Sequence, residues 1–121
     1  MARGVVHIQW YATVFRGDFF ADAVSEWAAP TTLEYGATRY TVQRSLDDQY
    51  KILQQIWFES KDDWYRYWEG PEMIEFRARY TSKYQIPIVY VWHEEYAAGG
   101  AAATIVTPAD LNPDPEPSTA A

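Results

Sequence analysis

Gln49–Gly70 reads QYKILQQIWFESKDDWYRYWEG, and it holds a strand and a helix start side by side. Gln49–Glu59 is rich in β-branched and aromatic residues, which predicts a strand. Ser60-Lys61-Asp62-Asp63 then forms a Ser-x-x-Asp capping box, the pattern that satisfies orphan amides at a helix N-terminus. Trp64, Tyr65, Tyr67 and Trp68 follow on that helix. Gly70-Pro71 interrupts it, with Pro71 suited to the first position of a second helical segment and Glu72 near its positive end. Met73, Phe76 or Arg77, Tyr80 and Tyr84 continue at three- and four-residue spacing until Pro87. Ile88–Glu95 predicts a last strand.

Working towards the N-terminus, Ala37–Ser45 predicts a partner for Gln49–Glu59, joined to it across Leu46-Asp47-Asp48. Phe20, Ala23, Val24 and Trp27 recur at helical spacing behind Asp18, a natural N-cap. That helix is expected to end near Pro30, with one further turn closed by Gly36. Val5–Phe15 (VVHIQWYATVF) predicts the first strand. Val6, Ile8, Trp10, Ala12 and Val14 share one face, and Val5, His7, Gln9, Tyr11, Thr13 and Phe15 the other. Large apolar groups on both faces suit a central strand that is covered twice.

The order β-α-β-β-α-β gives an α+β fold: a ferredoxin-like, four-stranded antiparallel sheet in the order 4-1-3-2, with both helices on one face. The other face would be bare in a single copy. Exposed apolar surface on that scale predicts a homodimer, with two open faces packed together into a dimeric α/β barrel.

Of the 121 residues, 1–96 are expected to form this domain. All six Trp, ten Tyr and five Phe lie between Trp10 and Tyr96. Residues 97–121 have no aromatic and no basic residue, so they read as an Ala/Pro-rich acidic tail, disordered when alone. Thr104–Leu111 (TIVTPADL) is the piece apolar enough to dock on a protein partner. Ten basic against seventeen acidic residues give a net charge of −7, which argues against nucleic acid as a partner. The absence of cysteine excludes disulfides, thiol nucleophiles and cysteine metal sites. No stretch approaches the roughly 18 apolar residues of a membrane span. Arg3-Gly4 runs straight into a strand without an apolar signal region, so cytoplasmic localisation is the expectation.

HIQWYATVF, QIWFESKDDWYRYWEGPEM and IPIVYVWHEEY resemble the dimeric α/β-barrel superfamily, in particular its antibiotic-biosynthesis-monooxygenase-like branch. The resemblance covers about residues 5–96. It implies a pocket between sheet and helices, with a Trp near the start of the second helix, the position of Trp64. The accompanying Asn before the helix is replaced by Ser60 or missing, and Tyr67 stands nearest to the family's helical Tyr. Haem-degrading relatives carry a His on that helix; 61–84 has none. The expectation is therefore a cofactor-free monooxygenase-like protein, in which a phenolic substrate itself supplies electrons to oxygen.

Two constellations could carry such chemistry. His7 and His93 are the only histidines. A first-to-last strand register summing to 100 sets them opposite each other, with Glu95 on the same face. Such a group serves as a catalytic base, a metal site or an ordinary polar pair; no metal is expected. The rings of Trp10, Tyr11, Trp64, Tyr67, Trp68, Tyr90 and Trp92 fit a flat aromatic ligand, or equally a core and a dimer interface. The predicted site accordingly takes His7, Tyr11 and Trp64 as catalytic. Gln9, Tyr67, Trp68, Trp92 and His93 are its substrate-binding residues. The alternative is a non-catalytic dimeric binding or assembly module that uses its tail. No phosphate loop, HExxH or nucleophile elbow is present.

Overall fold

The computed structural model describes residues 3–101; the tail from residue 102 onward, with the docking segment predicted at 104–111, lies outside them. The chain runs β1 (Gly4–Tyr11), α1 (Gly17–Ala23), a π turn (Val24–Ala28), α2 (Ala29–Thr31), a 3-10 turn (Thr32–Tyr35), β2 (Ala37–Arg44), β3 (Lys51–Phe58), α3 (Lys61–Trp68), α4 (Pro71–Arg79) and β4 (Val89–Glu94). The antiparallel sheet has the order β2-β3-β1-β4, the predicted arrangement. The chain therefore has the ferredoxin-like α+β fold.

Local signals hold where they are chemically specific. Ser60 caps α3 by accepting the Asp63 N–H at 3.3 Å. The Asp63 carboxylate takes Arg66 at 2.6 Å. Pro71 opens α4 behind Gly70. Gly36 closes the 3-10 turn at φ 96°, a left-handed conformation that glycine adopts without a Cβ penalty. In the β2–β3 connection, the Ser45 hydroxyl accepts the N–H groups of both Asp47 and Asp48.

Four boundaries differ from expectation. β1 stops at Tyr11, and the chain turns so that Arg16 N–H meets the Thr13 carbonyl and Phe15 sits at φ 67°. Asp18 is not a cap: it lies in the first turn of α1 and pairs with Arg44 at 2.6 Å. The first helix does not end near Pro30. Proline lacks an N–H and crowds the carbonyl four residues back; the π turn, in which Ala29 N–H reaches Val24, passes the chain over that defect. Thr31 then bonds the Trp27 carbonyl through its hydroxyl at 2.8 Å. Finally, α4 ends at Arg79, and Tyr84 belongs to a return loop bridged to Ala12.

The core lies between the sheet and the helices. From β1 it takes Val6, Ile8 and Trp10, and from β3 Ile52, Ile56 and Phe58. Phe20, Val24, Trp64, Tyr67, Met73 and Phe76 fill it from the helices. All of these are essentially inaccessible to solvent.

Candidate functional site

The predicted site divides between two faces. Trp64, Tyr67, Trp68 and Trp92 lie on the helix side, whereas His7, Gln9, Tyr11 and His93 lie on the open side of the sheet. Side chains alternate along a strand, so no single pocket between sheet and helices can contain both sets. That expectation is corrected.

On the helix side the rings pack against one another. Trp64 stacks on Trp68 with ring centroids 5.2 Å apart, and Tyr90 lies 5.3 Å from each. Phe20 and Tyr84 set their rings edge-on to Trp10, both at 5.3 Å. Trp92 pairs with Val6 and packs on the margin of this cluster. Arg77 covers Trp68 at 4.2 Å and donates to its carbonyl at 2.9 Å. A chain of hydrogen bonds pairs the polar atoms of Trp10, Gln54 and Tyr67 in series. Trp10 Nε1–H donates to Gln54 Oε1 (3.0 Å), Gln54 Nε2 to the Tyr67 hydroxyl (3.1 Å), and that hydroxyl to the Ala28 carbonyl (2.6 Å). Burial pushes the Tyr67 phenol far above its ordinary range, so it cannot serve as a phenolate base. Gln54 is the member that sequence reasoning missed. Its signal was a lone amide in the alternating set Ile52, Ile56 and Phe58.

The open face is laid out in cross-strand rows. Arg39, Trp57, Val5 and His93 form the first; Thr41, Gln55, His7 and Val91 the second; Gln43, Leu53, Gln9 and Val89 the third. Tyr11 and Lys51 begin a fourth. The β1–β4 register sums to 98, so His93 faces Val5 and His7 faces Val91. A slip of two residues preserves the face, and the imidazoles still meet diagonally with centroids 4.3 Å apart.

Gln55 Nε2 lies 3.0 Å from His7 Nε2, and its Oε1 accepts from Thr41 Oγ1 at 3.0 Å. With the amide oriented by Thr41, His7 accepts through Nε2 and carries its proton on Nδ1. Burial, and then the charge of His93, hold the His7 pKa below the ordinary 6.5. Glu95 does not join the pair; it accepts Trp57 Nε1–H at 3.3 Å. Among the described residues no group of three His, Asp or Glu is placed to hold a metal. On the helices, Arg66 of α3 pairs with Asp63 and Arg79 of α4 with Glu75.

Beyond the histidines the same face carries a groove of about 240 Å³, lined by Gln9, Gln43, Arg44, Ser45, Lys51 and Leu53. No helix among the described residues is long and apolar enough to cross a membrane.

Comparison with known proteins places the architecture. No protein-family profile and no curated protein sequence match the chain. Solved structures do. A candidate antibiotic biosynthesis monooxygenase from Nitrosomonas europaea superposes with a TM-score of 0.70 at 14% identity, covering 82% of this chain and 95% of its own. PA3566 from Pseudomonas aeruginosa gives 0.69 at 11%, with coverages of 80% and 97%. A further candidate of the same description, from Deinococcus radiodurans, gives 0.66 at 14%, with coverages of 86% and 99%. The shared property is the fold, that of the antibiotic-biosynthesis-monooxygenase-like proteins.

Proposed function

We propose that the protein is a homodimeric small-molecule binding module in which two copies meet through their open sheet faces. The small molecule is then held at that face rather than between sheet and helices. The observation that carries this reading is the contrast in packing: the helix side is built of interlocked, almost wholly buried rings, while the open side is left uncovered. Val89 and Val91 there are 48% and 47% exposed, beside Leu53, Trp57 and Tyr11. The strand positions on this face include few charges, Arg39 and Lys51 among them. Depletion of charge with enrichment in aromatic and aliphatic groups is what the centre of a homodimer interface requires. A second copy supplies a matching surface by symmetry.

Val91→Asp tests the reading by sedimentation velocity at micromolar concentration. Two buried carboxylates would face the interface, so the wild type should sediment as a dimer and the variant as a folded monomer with an unchanged far-UV spectrum. A wild-type monomer would overturn the proposal.

A cofactor-free oxygenase is the second reading, favoured by the neutral His7 imidazole, a group of the right type to deprotonate a phenol at neutral pH. To act through Nε2 it must first release Gln55. Oxygen uptake with a panel of phenols and anthrones tests it: consumption above the buffer rate that His7→Gln abolishes would support catalysis. Uptake at the buffer rate would leave binding as the function.

A further inference from the structure

The groove at the β2–β3 end of the open face has a composition unlike that of the chain around it. We propose that it is a binding site for a small organic anion of about one ring, such as an aromatic carboxylate. The proposal deepens the reading of the open face as the binding face and rests on it.

Position, charge and shape support the assignment together. Gln43, Leu53 and Gln9 stand in one cross-strand row, and Lys51 stands opposite Tyr11 in the next. Arg44 and Ser45 close the groove where β2 ends. Leu53 therefore gives an apolar floor between two amides, and the Tyr11 strand position adjoins it. The charged wall is entirely cationic. In a chain of net charge −7, the two ionisable residues lining this groove are Arg44 and Lys51. Lys51 has no carboxylate within ion-pair distance among the described residues. Arg44 gives one guanidinium nitrogen to Asp18 at 2.6 Å and retains its other donors. Asp47 and Asp48 belong to the neighbouring turn but do not line the groove; Asp48 is occupied by the Tyr50 N–H.

Ser45 adds a donor. Its oxygen already accepts two backbone N–H groups, at 3.1 Å each, which leaves the hydroxyl hydrogen free to point outward. Fixed donors of this kind bind a carboxylate through charge-assisted hydrogen bonds, about twice as strong as neutral ones. The volume suits a small occupant. About 240 Å³ falls just below the roughly 300–1,000 Å³ of sites for drug-sized ligands, room for a single ring with its acid group. The amides of Gln9 and Gln43 each donate within the protein, to the Ile52 carbonyl and to Gln55. Their carbonyl oxygens suit a ring hydroxyl.

Benzoate is the probe, with benzyl alcohol as its neutral counterpart, each titrated into the full chain and followed by amide NMR and calorimetry. Benzoate should shift the amides of residues 9, 43–45 and 51–53 and bind at least tenfold more tightly than the alcohol. Lys51→Gln should weaken benzoate about tenfold, the order expected for one hydrogen bond to a charged group. Lys61→Gln, on α3, should leave it unchanged. Absence of binding at millimolar benzoate, equal affinity for the alcohol, or equal effects of the two lysine variants would overturn the site. Sedimentation of the same samples separates the two proposals. A dimer that ignores benzoate refutes the groove alone, and a monomer that binds it through Lys51 refutes the dimer alone.

Discussion

The two faces of this sheet are built from the same strands and have opposite physical characters. On the helix side, Trp10, Trp64, Tyr67 and Phe76 are almost wholly removed from water, and the polar atoms of Trp10, Gln54 and Tyr67 are paired in series. On the other, His7, Gln9 and Tyr11 are half-buried in a single copy, and the hydrogen bonds run between side chains of neighbouring strands. The difference teaches where specificity can reside. A dry face packed with rings gives stability. A face with satisfied but accessible polar groups can still exchange partners.

The sharpest way to break this contrast is Trp64→Ala. If the helix side is core, removal of the ring should cost about 3–5 kcal/mol in urea unfolding, as large aromatic truncations do. Benzoate affinity per folded molecule should not move. A stable variant that loses ligand would return the binding site to the helix side.

Gln54→Leu acts on the same face with a smaller effect. It strands Trp10 Nε1–H and takes away the amide that Tyr67 accepts from, and a buried unsatisfied group costs about 1–3 kcal/mol. The expected result is a loss in that range, without change in sedimentation. An unchanged unfolding midpoint would mean that the chain of bonds contributes nothing net.

The smallest effect belongs to the open face and depends on pH. The folded His7 pKa lies below 6.5, so the unfolded chain binds the proton more readily. Stability is therefore complete above about pH 6.5, falls as pH drops through that value, and levels off below the folded pKa. His7→Gln should reduce the fall in melting temperature between pH 7.5 and 5 while leaving the value at pH 7.5 nearly unchanged. Parallel curves for wild type and variant would remove His7 from the account.

Much of the fold was legible in the residues. Ser60 and Asp63, Gly70-Pro71, Gly36 and the Ser45–Asp48 turn act through backbone groups a few residues away, and each does so as its type dictates. Boundaries failed where a distant partner decided them. Asp18 was drawn from capping by Arg44, 26 residues away, and the helix crossed Pro30 through a π turn. The histidine pair was found through a register wrong by two, because an even slip leaves the alternation of faces intact.

By itself, then, the sequence determined the order of elements, the local caps and turns, and which residues alternate along each strand, since these depend on near neighbours and on a period of two. Only the tertiary structure decided which alternating set meets the helices. That choice seals Trp64 and Tyr67 inside, joins Gln54 to rings from two other elements, and brings Gln9, Gln43 and Lys51 to one groove. Cross-strand neighbours are set by register and packing over distances that no local pattern encodes.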